Sequence, residues 1–329
     1  MNLFQTAVVM QLFATLVPTD ALAWGHEGHE TVGNIAAALI KGNAKKQVAK
    51  LLQPGETLAT AAEWPDCAKG FSYCHVDPTA EMNEYSSQNP HHHAYHYADV
   101  PFDLRAYQEG AIGSNGDDVV HILGDAILVL QGKAPANDAH VLSKRAALFI
   151  VAHMTGDIHQ PLHVGAAYLS PDHEFIVPRD EVEAKAGFTQ GGNLLCHGSR
   201  NMHSHWDDDL VVKAMRTAKV TTSVGLAKAL LGKAKAFKGE TGAVNSWPTQ
   251  WATESLALSA VELKLLTVTG IRKAGAGRSP CQSSDPNSAS SVWDVQLPDQ
   301  YDKEGTVTAA DQLAKAGARL AKVLQAIWP

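Results

Sequence analysis

Apolar residues recur at three- and four-residue spacing in six segments of this chain, and that period restricts the fold more than any other feature. It is typical of helices that bury one face, whereas runs of alternating β-branched residues, which indicate strands, are almost absent. The helical segments are residues 30–52, 119–130, 142–154, 211–231, 250–266 and 308–327. Gly, Pro, Ser and His mark long loops at residues 77–93, 165–192 and 270–300. The sequence therefore predicts a single all-α domain with long loops.

Histidine is the unusual feature of the composition, with 16 His against 4 Cys in 329 residues. Histidine titrates near neutral pH and is the commonest metal ligand. Hydrophobic residues make up 45% of the chain and charged residues 19%, which excludes a disordered protein. The 27 basic and 34 acidic residues give a formal charge of −7, which argues against binding nucleic acid through a broad basic surface.

The first 23 residues have the features of a secretory signal peptide. Residues 3–17 are mostly apolar but too short and interrupted to span a bilayer, and a small-x-small cleavage site, Ala-Leu-Ala, ends at Ala23. No Lys or Arg precedes the apolar stretch, so an amphipathic first helix is the alternative. Cleavage would make Trp24 the first residue of a secreted or periplasmic chain, residues 24–329. No other stretch approaches the roughly 18 apolar residues of a membrane span, so no membrane anchor is expected.

The four cysteines are Cys67, Cys74, Cys196 and Cys281, a number that suits an exported protein with two disulfides. Four cysteines allow three connectivities, and sequence alone does not choose among them. Cys67 and Cys74 are close in the chain, and we favour the pairs Cys67–Cys74 and Cys196–Cys281. No Cys-x-x-Cys occurs, so a zinc site built on cysteine is not expected.

The strongest local motif runs from His153 to His163 as His-Met-Thr-Gly-Asp-Ile-His-Gln-Pro-Leu-His. His153 and Asp157 are four residues apart at the end of an apolar helix, so they share a face. Pro161 ends or bends the helix and can bring His163 back toward that face. Imidazole and carboxylate groups placed in this way are able to hold zinc.

Three other histidine patterns are weaker evidence for a metal site when each is taken alone. His203 and Asp207 form a second helical pair, but a helix-end histidine beside a solvated aspartate is commoner than a ligand pair. His121 and Asp125 have the same spacing and no third ligand after them, which indicates an ordinary helix face. The three histidines at residues 91–93 are interpreted as an exposed loop able to bind metal adventitiously.

Further motifs extend the pattern over nearly the whole mature chain. In chain order the set reads Trp24-Gly-His-Glu-Gly-His29, Glu63-Trp64-Pro65-Asp66, His96-Tyr97-Ala98-Asp99, the His153 to His163 motif, Gly191-Gly192-Asn193, His203-x-x-x-Asp207, Trp251-Ala-Thr-Glu254-Ser255 and Gly317-Ala-Arg319-Leu320-Ala321. Their order and spacing resemble the S1/P1 nuclease family, whose processed chains begin with Trp and have His five residues later. The resemblance implies an S1/P1 nuclease domain over residues 24–329, with the mainly helical fold of the phospholipase C/P1 nuclease type.

The resemblance implies three zinc ions per chain. It places one zinc among Asp66, His96, His153 and Asp157. It places a partner zinc among the free amine and carbonyl of Trp24, the ring of His29, and Asp157 as the bridge. It places a third zinc among His163, His203 and Asp207. Each carboxylate would offset part of the +2 charge, and each ion would keep open positions for water or phosphate.

The reaction that the resemblance implies is hydrolysis of phosphodiesters. A hydroxide bridging two zincs would attack phosphorus, and the third zinc would stabilise the leaving 3′-oxygen. The products would be 5′-mononucleotides, with 3′-nucleotidase activity as a companion. Asp66 is expected to orient the hydroxide, and Lys69 to stabilise the charge that develops on the phosphoryl group. The alternative for Lys69 is an ordinary surface lysine.

Three residues are expected to bind the substrate, again by resemblance. Tyr97 would stack on a base, Asp99 would hydrogen-bond a base edge, and Asn193 would touch phosphate or orient a loop. Stacking requires an unstacked base, which favours single-stranded DNA and RNA. Ordinary core packing is the alternative for Tyr97. The expected protein is a monomer.

Two alternatives to a nuclease are considered. A zinc-dependent phospholipase C shares the helical fold and the amino-terminal Trp, but His29 has the nuclease spacing and Asp207 stands where phospholipases use Glu. A secreted zinc-binding protein without catalysis would use the loop at residues 91–93. The net charge does not oppose the nuclease, because loss of Asp20 leaves −7 + 1 = −6, and three zinc ions add +6 in one cleft.

Overall fold

Helices form most of the chain in the computed structural model, which describes residues 24–70, Cys74, 78–275 and 279–329. The helices are α1 (His26–Leu39), α2 (Gly42–Leu51), α3 (Leu58–Ala68), α4 (Ala80–Gln88), α5 (Val119–Leu130), α6 (Lys144–Asp157), α7 (Glu181–Gly187), α8 (Met202–Ser204), α9 (Leu210–Thr217), α10 (Ser223–Ala236), α11 (Trp247–Leu263) and α12 (Tyr301–Ile327). The mainly helical prediction is confirmed. The predicted signal peptide, residues 1–23, lies outside the described residues.

Two predicted helices are each divided in the structure. Residues 30–52 form α1 and α2, because Ile40 is extended and Gly42 has a φ of +58°, a conformation that glycine adopts without a steric penalty. Residues 211–231 form all but the first residue of α9 and most of α10, and Lys219, with a φ of +56°, lies in the turn between them. The apolar period continues across both turns, so periodicity alone did not locate them.

A four-stranded sheet is present, and its last two strands extend into the predicted loop at residues 270–300. Its strands are β3 (Leu195–His197), β4 (Arg200–Asn201), β5 (Thr267–Lys273) and β6 (Ser291–Gln296), in the spatial order β4-β3-β6-β5. Strands β3 and β6 are parallel, and the other neighbours are antiparallel. The register shifts between Val268 and Gly270, which interrupts the alternation that would have indicated β5 in the sequence. The loop prediction for residues 270–300 is therefore wrong at both strands.

A short parallel strand pair, β1 (Val100–Pro101) and β2 (Gly165–Ala166), joins two distant parts of the chain. Just before these strands, the backbone N–H of Ala98 donates to the carbonyl of His163 at 2.7 Å. The ring Nδ1 of His163 donates back to the carbonyl of His96 at 2.7 Å. The segments that precede β1 and β2 are therefore held side by side.

Helix α6 lies in the interior and packs against α3, α5 and α12. Every residue from 146 to 157 is buried, which is typical of a helix enclosed on all sides. At its start, the side chain of Ser143 accepts a hydrogen bond from the backbone N–H of Ala146 at 3.0 Å. This helix places His153 and Asp157, its last residue, inside the protein.

Two disulfides have the connectivity that we favoured from the sequence. Cys67–Cys74 closes a loop at the end of α3, and Cys196–Cys281 joins β3 to the segment between β5 and β6. Disulfides of this kind typically stabilise a domain by about 2–4 kcal/mol. In the part of the chain that the structure describes, no helix combines the length and the apolar character needed to cross a membrane.

The pair His121 and Asp125 has a structural role, as the sequence indicated. Asp125 accepts hydrogen bonds from the backbone N–H groups of Ala136 and Asn137 at 2.6 and 3.1 Å, and from Nδ1 of His140 at 2.7 Å. His121 instead contacts Asp118 at 2.9 Å. The carboxylate of Asp125 therefore holds the loop that follows α5.

The prediction of an exposed histidine loop at residues 91–93 is wrong for its central residue. His92 is only 6% exposed, and its Nδ1 donates to the carbonyl of Asn89 at 2.8 Å. His91 is exposed and pairs with Asp117 at 2.8 Å. These two contacts attach the loop before His96 to Asn89 and to Asp117.

Candidate metal centre

Eight buried ionisable side chains from separate parts of the fold converge on one region. Each is at most 2% exposed. They are His29, Asp66, His96, His153, Asp157, His163, His203 and Asp207. Such groups are rarely buried together unless they pair or bind a metal, because desolvating a charge is costly.

Asp157 lies at the centre of the first half of this region. Its Oδ1 is 3.2 Å from Nε2 of His29. Its Oδ2 is 3.0 Å from Nδ1 of His96 and 3.1 Å from Nε2 of His153. The two oxygens therefore face different imidazoles, which is the arrangement of a carboxylate shared between two cations.

Asp66 faces the same histidines from α3. Its Oδ1 lies 3.5 Å from Nδ1 of His96 and 3.7 Å from Nε2 of His153. Lys69, one turn later, places Nζ 2.8 Å from that oxygen, and its side chain is only 3% exposed. The alternative of a surface lysine is therefore wrong, and a positive charge lies at the edge of the cluster.

The second half of the region contains His163, His203 and Asp207. Nε2 of His163 is 3.9 Å from Oδ1 of Asp207, and Nε2 of His203 is 3.4 Å from its Oδ2. Gln160, which sequence reasoning missed, donates from Nε2 to Oδ1 of Asp207 at 2.8 Å. Its own Oε1 accepts from the backbone N–H of Leu162 at 2.6 Å, so the turn before His163 also orients Asp207.

His203 and Asp207 come from an irregular part of a helix. A π-helical turn, His205–Asp209, lies between α8 and α9. Such a turn inserts an additional residue and frequently marks a functional site. The carbonyl oxygen of the Asn201 side chain caps the start of α8 by accepting from the backbone N–H of Ser204 at 2.7 Å. The predicted four-residue pair is present, although the helix that carries it is not a regular α-helix.

Backbone carbonyls orient three of the imidazoles. Nδ1 of His153 donates to Ala62 at 2.5 Å, and Nδ1 of His203 donates to Gly191 at 2.8 Å, as that of His163 does to His96. Because a carbonyl only accepts, Nδ1 must carry the proton, and Nε2 is left as the atom that faces the aspartates. A hydrogen bond from the other ring nitrogen to a carbonyl is typical of histidines that ligate metals.

In the first half, the pKa shifts of His29, His96 and Asp66 suit metal ligands, whereas the charges of Asp157 and Asp66 outweigh burial and raise the pKa of His153. Burial lowers the pKa of His29 to about 4 and that of His96 to about 3, with Lys69 adding to the effect on His96. Burial by itself would raise the pKa of Asp66, but the charges of Lys69 and His153 outweigh it and hold that pKa below its usual range. Neutral imidazoles and ionised carboxylates are the forms that bind metal.

The pKa of Asp207 shifts in the opposite direction from that of Asp66. Burial raises its pKa well above the usual range, and the neighbouring charge of Asp208 adds to the rise. A divalent cation among His163, His203 and Asp207 would offset both effects.

Several buried atoms in the cluster make no hydrogen bond within the described residues, which tests whether a metal would fit. They are both ring nitrogens of His29, Nε2 of His96, Oδ1 of Asp157 and Oδ2 of Asp207. The two aspartate oxygens lie 3.2 and 3.4 Å from imidazole nitrogens, but these contacts lack the geometry of a hydrogen bond. A buried polar atom that lacks a partner is destabilising. Cations would satisfy one ring nitrogen of His29, Nε2 of His96 and the two carboxylate oxygens, because a neutral imidazole offers a lone pair on one nitrogen only. Donor atoms lie within 4.8 Å of one another in three buried groups, which are His29/Asp66/His153, His96/His153/Asp157 and His163/His203/Asp207. The donor chemistry therefore fits metal ions.

Trp24, the first described residue, is fully buried beside this region. Its indole N–H donates to the carbonyl of Gly156 at 2.9 Å, one residue before Asp157. A Cβ at Gly156 would lie 3.0 Å from Nδ1 of His29, a tight contact that would press on the imidazole ring. The N–H of Gly25 donates to the carbonyl of Asp207 at 3.1 Å. The start of the described chain thus contacts both halves of the cluster.

The three predicted substrate residues lie on the loops beside the cluster. Tyr97 and Asp99 are partly exposed and follow His96, and burial raises the pKa of the Asp99 carboxyl to about 7. Asn193 is 5% exposed, and its amide donates to the carbonyl of Gln190 at 2.9 Å. Of the two roles expected for Asn193, this contact favours holding the loop.

The family model described as S1/P1 Nuclease matches residues 24–329. The chain belongs to the S1/P1 nuclease family. It is 26% identical over 269 residues to Endonuclease 5 of Arabidopsis thaliana, which covers 77% of this chain and 80% of that protein. It is 24% identical over 312 residues to Nuclease S1 of Aspergillus oryzae (strain ATCC 42149 / RIB 40), covering 92% and 91% of the two chains.

In this S1/P1 nuclease family member, two motifs near the end of the chain support the centre from outside. Arg319 is 6% exposed and donates from Nη1 to Nε2 of His159 at 2.9 Å, while Nδ1 of His159 donates to Thr155 at 2.7 Å. Its other nitrogens contact Glu240 at 2.7 Å and Glu254 at 2.8 Å. The Trp251 and Gly317 motifs thus meet at the turn between Asp157 and His163, a link that sequence spacing did not reveal.

Proposed function

We propose that this protein is a secreted zinc-dependent phosphodiesterase that hydrolyses single-stranded DNA and RNA to 5′-mononucleotides and also acts as a 3′-nucleotidase. The observation that carries the proposal is the buried cluster of five histidines and three aspartates in an S1/P1 nuclease family member. The two disulfides are consistent with export to a secreted or periplasmic location. We propose that the protein acts as a monomer.

The proposed metal ligands are the residues named from the sequence. One zinc would be held by Asp66, His96, His153 and Asp157. The second would be held by Trp24, His29 and Asp157, and the third by His163, His203 and Asp207. Support for the shared role of Asp157 comes from its two oxygens, which face His29 on one side and His96 and His153 on the other.

Zinc supplies Lewis-acid polarisation of phosphoryl oxygens and acidifies water when it is bound in such a site. The carboxylate of Asp66 would accept a hydrogen bond from the attacking water and set its direction. The ammonium group of Lys69, 2.8 Å from Asp66, would stabilise negative charge on the phosphoryl oxygens. Its burial strengthens this interaction, because fewer water molecules screen a buried charge.

Substrate binding would use the partly exposed residues after His96. Tyr97 would stack on a base, and Asp99 would hydrogen-bond the edge of that base. Asn193 would hold the loop that faces them through its bond to Gln190. A stacked base must leave its duplex neighbours, so this arrangement favours single strands.

We expect the Tyr97→Ala variant to bind short oligonucleotides more weakly. Base–aromatic stacking contributes about 1–3 kcal/mol, so KM should rise by about 5- to 150-fold. The zinc content should remain that of the wild type. The Tyr97→Phe variant keeps the ring and is the matched control, with KM expected within about twofold of the wild type. Equal KM values for all three proteins would exclude Tyr97 from the binding site.

A variant that keeps one additional residue ahead of Trp24 tests the proposed amine ligand. Since Trp24 is buried, the added residue would block its amine and crowd the site. We expect zinc content to fall by one equivalent and activity to fall by about 10- to 100-fold, the range for disturbed metal sites. The same residue added after Pro329 is the control and should change neither quantity. Full zinc content and activity in the extended protein would exclude the Trp24 amine as a ligand.

The proposed activity is tested by assaying the mature protein on single- and double-stranded DNA, RNA and 3′-AMP. We expect release of acid-soluble nucleotides, abolished by EDTA and restored by zinc, with single strands cleaved faster than duplexes. A parallel assay on phosphatidylcholine vesicles tests the alternative of a phospholipase C. Diacylglycerol release without nucleotide release would replace the proposal with that alternative. Zinc binding without hydrolysis of any of these substrates would favour the alternative of a zinc-binding protein without catalytic activity.

A further inference from the structure

A second group of metal-binding side chains lies beside the buried centre but shares no residue with it. His26 and Glu30 are on the first two turns of α1, and Glu63 is on α3. Nδ1 of His26 is 2.5 Å from Oε1 of Glu63, and its Nε2 is 3.8 Å from Oε2 of Glu30. One donor atom from each residue lies within 4.8 Å of the other two.

This group, which we call the outer triad (His26, Glu30 and Glu63), is open to solvent. Its side chains are 44%, 27% and 16% exposed, in that order, whereas the ligands of the buried centre are almost fully enclosed. A cation could therefore enter and leave the outer triad without passing through the protein interior.

The charges around His26 favour a cation. The charged groups that act on it most strongly are the carboxylates of Glu63, Glu30 and Glu27, and Glu63 also feels the charge of Asp66. The hydrogen bond to Glu63 and the nearby carboxylates raise the pKa of His26 to about 9, so a divalent cation must displace the imidazole proton. Once that proton has left, the imidazole and two ionised carboxylates carry a charge of −2, which matches a divalent cation. The direct contact between His26 and Glu63 is the competing interaction, and a bound cation would have to replace it.

We propose that the outer triad is an additional, exchangeable binding site for Zn²⁺. One imidazole and two carboxylates suit zinc, and water would complete the coordination. Three protein ligands and an exposed position give weaker binding than a closed site. Because α1 also carries His29 and α3 also carries Asp66, a cation in the outer triad would join the two helices that reach the buried centre.

The test is a count of bound zinc in the mature protein after equilibrium dialysis at a series of fixed free zinc concentrations, read by atomic emission. We expect the wild type to bind one equivalent more than the Glu30→Gln variant at the higher concentrations. Gln keeps an acceptor for the hydroxyl of Ser223, which contacts Glu30 at 2.5 Å, so the fold is preserved. The His26→Asn variant should lose the same equivalent, and the melting temperature of each variant verifies folding.

Glu27→Gln is the matched control, because it removes one negative charge near His26 without removing a member of the outer triad. It should bind as much zinc as the wild type. Equal counts in the wild type and the Glu30→Gln variant, or an equal loss in the Glu27→Gln variant, would overturn the proposal. The result is separate from the proposed nuclease centre. If that centre bound no zinc, every protein would lose the same amount, and the difference caused by the outer triad would remain.

Discussion

The Asp157→Asn variant is expected to lose nearly all nuclease activity and the zinc of the first half of the centre. The two carboxylate oxygens of Asp157 face His29 on one side and His96 and His153 on the other. An amide in their place would remove a negative charge from both proposed zinc positions. A decrease in kcat/KM of about 10³-fold or more corresponds to about 4 kcal/mol of lost transition-state stabilisation. The measurements are kcat/KM on single-stranded DNA and bound zinc per chain.

Asp103→Asn is the matched control for this experiment, because Asp103 is partly exposed and pairs only with the exposed Lys264 in the contacts described. It should keep wild-type activity and zinc content. If Asp157→Asn retained its zinc and lost only activity, Asp157 would act on the reaction rather than as a shared ligand. Retention of both zinc and activity would contradict the assignment of the centre altogether.

The Arg319→Leu variant is expected to be less stable by about 3–5 kcal/mol, the typical effect of removing one partner from a buried ion pair. Arg319 and Glu240 are 7% and 10% exposed at their side chains, and Arg319 also satisfies Nε2 of the buried His159. Its guanidinium lies 5.4 Å from the centre of the Trp251 ring, so the loss includes packing. Urea unfolding at fixed zinc concentration measures the change.

Arg179→Leu serves as the comparison, since Arg179 is 85% exposed and pairs with Glu183 on the surface. Its unfolding midpoint should equal that of the wild type, because solvent screens such pairs. A loss of stability in Arg319→Leu no larger than that of this control would show that the Arg319 contacts are not stabilising. Repeating both measurements without zinc separates the stability of the fold from that contributed by bound metal.

The sequence predicted those parts of the centre that depend on local spacing. His153 and Asp157 share a helix face because they are four residues apart on a regular helix, and the structure keeps that arrangement. The helix ends at Asp157, four residues before Pro161, and Pro161 begins the short 3₁₀ turn that carries His163. For the proposed ligands that are distant in the chain, such as His29 and Asp66, the family resemblance and not periodicity predicted that they lie together.

The supporting contacts were not predictable, because they depend on which segments meet in three dimensions. Gln160 binds Asp207 across 47 residues, and Arg319 binds His159 across 160 residues. Neither pair has a spacing that indicates contact. Strand β5 was missed for a different reason, since Gly270 and the register shift interrupt its alternation. Non-local contacts and local irregularities thus account for most of the differences from the sequence prediction.

The three imidazoles held by Ala62, His96 and Gly191 donate to main-chain carbonyls and not to side chains. Every amino acid has such a carbonyl, so a substitution at Ala62 that leaves the backbone path unchanged does not remove the acceptor. Metal binding and substrate preference can therefore diverge separately within the family. Side chains around the cluster can change while the main chain keeps the three imidazoles in their orientation.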